Sequence, residues 1–268
     1  MTAAANSPAD QVLIKAEPRT LIWSEPLPIG GRKVIKMYRR RNPLDPLRRW
    51  FVDYRAQREF SLLLHLHARG VDCPEPLGWS HGADSRHGRH DILETREIPS
   101  VTPLRDMLRQ YRARTLDLAP LFENARRMHE CGVAHGAFYA PNILVSAKET
   151  APLRFYLIDF AHGRRFRHSI VGTPPAGYDL LDMMRSIQRA SLIDDRERWL
   201  AAYGLGAEEV RRLLMHLPYH RLDRPWRHLR RMETDVRSFF GLPGRVGLPG
   251  TPGSGALAAR ENRPIEGP

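Results

Sequence analysis

The chain has 268 residues, enough for one large domain or two lobes around a shared core. Hydrophobic residues at 42% and charged residues at 27% are ordinary for a globular protein, but a net charge of +12 is not. So basic a chain suits polyanionic partners, whether nucleic acid, an anionic membrane face or phosphorylated small molecules.

Residues 1–18 are rich in Ala, Pro and polar groups and read as a flexible N-terminus. They lack the basic start and apolar core of a signal peptide, and no apolar run approaches the roughly 20 residues of a membrane span. A cytoplasmic protein is expected, with at most peripheral membrane contact. The stretch from Thr20 to Tyr38 predicts two strands joined through Gly30-Gly31. From about Leu47 to Arg69 the pattern is helical, with Tyr54, Phe60, Leu63, Leu64 and His67 sharing a face and Gly70 ending it. Gly88 to Ile98 offers another strand, and TPLRDMLRQY opens a helix with Thr102 as N-cap and Pro103 at the first helical position. A second helix, Leu118 to Gly132, also closes on glycine. Short strands ILV and FYLIDF follow, and helices resume near Tyr178, Asp194 and Ala207. Residues 241–268 are dense in Gly and Pro without a three-residue period and read as a disordered tail. Strands first and helices later, with a small hairpin between them, give an α+β, bilobal expectation.

Cys73 and Cys131 have no C-x-x-C partner, so they read as buried thiols in a reducing compartment rather than as a disulfide or zinc framework. His129, His135 and His162 match no familiar zinc spacing and read as polar or loop-anchoring residues. The chemistry concentrates in the hairpin. Asn142 just before ILV and Asp159 just after LI are hard-oxygen residues on neighbouring loops, a pair suited to Mg²⁺. Upstream, either Lys33 or Lys36 of the GGRKVIK strand can point inward, depending on its register. The basic run from Pro218 to Ser238 reads as a solvated face or as a surface for anionic lipid or substrate phosphate. Arg164 and Arg165 stand where an acceptor's phosphates could reach.

These residues resemble a known pattern: H-R-D, four residues, N, and later D-F-G. Here the series is His135-Gly136-Ala137, four residues, Asn142, and later Asp159-Phe160-Ala161. Val34-Ile35-Lys36 resembles the strand end that presents a phosphate-binding lysine. Glu59 fits its acidic partner, and Asp179 resembles the aspartate that braces the catalytic loop. From about Trp23 to Ala190 the chain resembles the bacterial lipopolysaccharide kinase family, kinase-fold enzymes that phosphorylate Kdo or heptose sugars of the lipid A inner core.

The resemblance implies a protein-kinase-like fold, with a small β-rich N-lobe over residues 19–95 and a mainly helical C-lobe over 96–240. It implies a phosphotransferase with an alcohol acceptor, using ATP and Mg²⁺ on a phosphorylated glycolipid or sugar at the inner face of the inner membrane. Lys36 would contact the nucleotide phosphates, with Glu59 orienting it. Glu94 to Ile98 would form the hinge for adenine, Asn142 and Asp159 would hold the metal, and His135 would anchor the loop. The chain also departs from the pattern. No complete G-x-G-x-x-G precedes Lys36, Gly136 replaces the arginine, Ala161 replaces the last glycine, and Ala137 replaces the catalytic base. A slow sugar kinase and a catalytically impaired nucleotide-binding regulator or scaffold are therefore the two leading readings. A nucleic-acid-binding protein ranks behind both, because no reading motif accompanies the charge.

Overall fold

A computed structural model describes residues 10–39, 55–84, 88–110, 116–146, 153–191 and 195–216. The expected tail over 241–268 and the basic run from Pro218 lie outside the described residues.

The N-terminal half is an antiparallel five-stranded sheet. Its strands are β1 (Val12–Ala16), β2 (Thr20–Pro26), β3 (Arg32–Arg39), β4 (Pro76–Asp84) and β5 (Gly88–Arg96), in the order β1-β2-β3-β5-β4. The Gly30-Gly31 turn joins β2 to β3 as expected, with φ of +89° and +79°, a region open to glycine at little cost. Within the stretch 1–18 that reads as flexible, residues 1–9 lie outside the described residues and Val12–Ala16 form β1. It is exposed along its length and is held by backbone pairing, Leu13 opposite Trp23 and Ala16 opposite Leu21. β4 escaped the sequence reading because Gly78 and Gly82 break its apolar pattern.

Helix α1 spans Arg55–His67. It buries Ala56, Glu59, Leu62, Leu63 and Leu66, whereas Leu64 is exposed and Phe60 only half-buried. The expected face is thus rotated, because a buried glutamate belongs to the true one. The Thr102–Pro103 cap is also corrected. Both residues lie in β6 (Val101–Pro103), opposite Val145 and Leu144, and α2 (Leu104–Gln110) starts one residue later. Proline is tolerated there because β6 is an edge strand of its sheet.

Helix α3 (Ala119–Glu130) leads through a turn to β7 (Val133–Ala134), whose partner is β10 (Arg164–Arg165). Between them, β8 (Ile143–Ser146) and β9 (Arg154–Leu157) form the expected hairpin, completing a β6-β8-β9 sheet. Helices α4 (Pro174–Ala190), α5 (Arg196–Ala202) and α6 (Ala207–His216) follow. One core joins the parts, running from Tyr38 and Leu93 through Leu62 and Leu66 to Phe138, Phe155, Phe160, Met184 and Trp199. Cys73 is buried in it and its thiol is pushed up to about 12 by burial, while Cys131 is only half-buried. Both are free thiols.

Candidate active site

Successive side chains on a strand alternate, so Lys36 and Tyr38 leave β3 on one side and Lys33 on the other. Lys33 pairs with Glu25 at 3.1 Å and Glu94 at 3.0 Å. Lys36 turns inward, its Nζ 2.6 Å from Asp159 Oδ1 and 3.3 Å from Glu59 Oε1. Register therefore assigns Lys36, and not Lys33, to the cleft.

Glu59 is 2% exposed, a position where a lone carboxylate would be strongly unfavourable. Its oxygens accept from the Lys36 ammonium, from the Tyr38 hydroxyl and, at 3.1 Å, from the Phe160 amide. One side chain on α1 thus ties β3 to the Asp159-Phe160-Ala161 segment. Arg58, one residue earlier, adds a bond to the Ala161 carbonyl. Tyr38 is the residue that the sequence did not single out. In a strand pattern it reads as core, and only its same-side spacing from Lys36 hinted at more. Its ring also lies under the Lys36 ammonium, 5.0 Å away.

Burial opposes charge on both Lys36 and Asp159, but their ion pairs outweigh it. The Lys36 ammonium is raised above its ordinary value by Glu59 and Asp159, and the Asp159 carboxyl is lowered by Lys36. Both are charged at neutral pH. Burial, then the Glu59 and Asp159 charges, push the Tyr38 phenol well above its usual range, so it stays a donor.

Asp159 has φ +65° and ψ +58°, a left-handed backbone uncommon outside glycine and characteristic of functional sites. The Ile158 amide donates to the Asn142 carbonyl at 3.0 Å, which sets Asn142 beside the Ile158–Asp159 segment. The Asn142 Nδ2 donates to the Ala137 carbonyl at 2.9 Å, and its Oδ1 has no partner among the described residues. Asp159 likewise commits Oδ1 to Lys36 while its side chain remains 39% exposed. Two hard oxygens with open valence suit a Mg²⁺ ion that takes its remaining ligands from phosphate and water.

The loop between β7 and β8 is braced from below. Asp179 of α4, 2% exposed, accepts from the His135 amide at 2.7 Å, the Gly136 amide at 2.9 Å and His129 Nε2 at 3.3 Å. His129 Nδ1 lies 2.7 Å from the Tyr203 hydroxyl, extending the chain of bonds to the end of α5. Burial raises the Asp179 carboxyl, but its bond and charge contact with His129 reverse the shift and hold it below its ordinary value. His135 is fully buried and bonds the Ile158 carbonyl through Nε2 at 3.0 Å. Its ring centroid lies 4.5 Å from that of Phe160. Burial lowers it, so it is neutral.

Gly136 has φ +74°, and a Cβ there would stand 2.5 Å from the His162 carbonyl oxygen. That steric limit explains glycine where the resembling pattern has arginine. Ala137 follows, half-buried, with no side-chain group for proton transfer.

Glu94 lies within β5 opposite Ile35 and Gly78, its carboxylate spent on Lys33. In the stretch it begins, the Arg96 amide donates to the Glu75 carbonyl at 2.8 Å and the Glu97 amide to the Arg32 carbonyl at 2.9 Å. Ser24 and Arg32 further clamp Glu97. Among the described residues the Ile98 amide has no partner, which leaves it as the open donor of that stretch.

A small antiparallel sheet, a helix bearing the glutamate that holds a strand lysine, and a loop-and-hairpin site beneath them define a protein-kinase-like fold. The sequence profile described as the lipopolysaccharide kinase (Kdo/WaaP) family matches residues 12–203, and the chain belongs to that family. Among solved structures it is similar to WaaP in complex with acyl carrier protein, with 17% identity, 85% of this chain and 88% of that chain covered, and a TM-score of 0.56. A weaker likeness is to the Rio2 kinase from Chaetomium thermophilum. The match to its ADP/Mg²⁺-phosphoaspartate complex has 18% identity, covers 86% of this chain and 71% of that chain, and has a TM-score of 0.45. Comparison with curated proteins gives no match. Among the described residues no helix is long and apolar enough to cross a membrane.

Proposed function

We propose that the protein is an ATP-dependent phosphotransferase acting on a Kdo or heptose hydroxyl of the lipopolysaccharide inner core. The observation that carries this reading is the Lys36–Glu59–Asp159 network beside Asn142, in a chain of the lipopolysaccharide kinase family. Lys36 would bind the nucleotide's α- and β-phosphates, held in place by Glu59 and Tyr38. The Ile98 amide would receive adenine in the crevice between lobes spanning 19–95 and 96–240. Asp159 Oδ2 and Asn142 Oδ1 would hold Mg²⁺, which supplies charge neutralisation on the transferring phosphoryl group. His135 and Asp179 keep the loop in shape. Phosphoryl transfer is mostly positioning and electrostatics, and a missing general base typically costs on the order of 10²–10⁴ in rate. Ala137 therefore slows such an enzyme without abolishing it.

A second reading, a nucleotide-binding regulator or scaffold, is favoured by Ala137 and by the absence of a glycine-rich loop over the phosphates. Both readings require nucleotide. ATP with Mg²⁺ should raise the unfolding temperature of the wild-type chain, and Asp159→Asn should remove that rise. No rise in the wild type would refute both readings together.

A further inference from the structure

A second feature of the fold lies where α1, β10 and the turn after α3 meet. His65 of α1 bonds the Cys131 carbonyl through Nε2 at 2.9 Å, so that nitrogen carries the proton. Its Nδ1 is left as an acceptor and takes Arg69 Nη1 at 3.0 Å, while the same Nη1 donates to the His65 carbonyl at 3.1 Å. One nitrogen of the Arg69 guanidinium is thereby held, and the side chain is otherwise exposed. Arg165 comes to the same place from the other side, because β10 pairs Arg165 with Val133. The Phe166 amide bonds the Gly132 carbonyl at 2.7 Å, and a Cβ on Gly132 would stand 2.7 Å from the carbonyl oxygens of both Phe166 and His168. The backbone carrying Arg165 and Arg167 is thus pinned onto Cys131–Val133, next to the point that His65 touches.

Arg69, Arg165 and Arg167 are all exposed, and among the described residues none of them has a carboxylate partner. Nearby Glu130 is taken by Arg126 at 2.7 Å. Elsewhere on the surface, arginines find acids: Arg96 with Glu75, Arg198 with Asp117, Arg105 with Asp106. Burial, and then the charges of Arg165 and Arg69, lower His65, so the imidazole stays a neutral acceptor that holds Arg69. The charges of Arg69 and Arg165 both act on His65, and Arg167 follows Arg165 by two residues on the same pinned backbone, so like charges gather here and an anion relieves their repulsion. A guanidinium fork matches the oxygens of a phosphate group in pairs.

We propose that Arg69, Arg165 and Arg167 form an anion subsite that takes a phosphate group. The subsite does not depend on nucleotide binding or on catalysis, so it stands or falls separately from the function proposed above. The phosphate can come from a lipid headgroup or from a soluble phosphoryl compound, and two measurements distinguish the sources.

The full chain is compared as wild type, as Arg69→Gln/Arg165→Gln/Arg167→Gln, and as a charge-matched control, Arg105→Gln/Arg198→Gln/Arg211→Gln. Binding is measured to phosphatidylcholine vesicles containing phosphatidylglycerol, and to inorganic phosphate by ³¹P line broadening. The subsite variant should lose binding on the order of 100-fold for vesicles, as expected for three surface charges, while the control loses several-fold less. Loss of both vesicle and phosphate binding supports a headgroup site. Loss of phosphate binding alone supports a site for a soluble phosphoryl compound, and loss of vesicle binding alone supports headgroups bound at the membrane surface. Equal losses in variant and control, or no loss in either assay, would overturn the proposal.

Discussion

Replacing Asp179 tests whether the loop before β8 is held by this one carboxylate. The side chain is 2% exposed and serves two backbone amides and His129. In Asp179→Ala both amides lose their acceptor in a site with little access to water. At about 1–3 kcal/mol for each orphaned buried donor, and about 1 kcal/mol for the His129 bond, the loss comes to about 3–7 kcal/mol. A domain of this kind has only about 5–15 kcal/mol in total, so the variant would be close to unfolding at 37 °C. Asp179→Asn keeps the shape and one acceptor oxygen but turns an NH₂ group toward the second amide, for a smaller loss of about 2 kcal/mol. Urea unfolding followed by far-UV circular dichroism gives both values. The expected order is wild type, then Asn, then Ala. A cost below about 1 kcal/mol for Asp179→Ala would refute the brace, since it would mean that the two amides find other partners without strain.

Tyr38→Phe removes one of the donors to buried Glu59, and a bond to a charged acceptor is worth about 1.5–3 kcal/mol. The variant should lose that much stability and bind ATP more weakly, because Glu59 is then free to leave Lys36; unchanged ATP affinity would contradict the positioning role. Buried His135 is held neutral below its unfolded value, so its contribution is complete above about pH 6.5 and is lost as pH falls toward its folded value. The unfolding free energy should therefore fall between pH 7.5 and pH 5, with His65 adding in the same direction, and His135→Asn should flatten that slope. An unaltered slope in the variant would place the titration elsewhere.

The parts of the fold legible in the sequence were those with strong local signals. The Gly30-Gly31 turn, the hairpin around Asn142 and Asp159, and the helices closed by Gly70 and Gly132 all depend on nearby residues. What stayed hidden depended on partners distant in the chain. Glu59 counts as polar in any periodicity, so the pattern puts the apolar face of α1 around Leu64, although Lys36, Tyr38 and Phe160 make Glu59 a core residue. Thr102 and Pro103 carry local cap chemistry, but pairing with β8 overrides it. Alternation left Lys33 and Lys36 both open, and only the register against β5 and α1 separates them. Tyr38 gave no local signal of its bond to Glu59, since that partner lies 21 residues away.

Whether the Lys36–Glu59–Asp159 network serves phosphoryl transfer to a sugar is decided by measuring transfer itself. Labelled ATP with Mg²⁺ is incubated with deacylated lipopolysaccharide and with Kdo- or heptose-containing sugars, using wild type, Asp159→Asn and Ala137→Asp. Slow transfer by the wild type, abolished in Asp159→Asn, is the predicted result. An inert wild type that gains activity in Ala137→Asp would contradict it, and would identify the chain as a kinase fold without turnover.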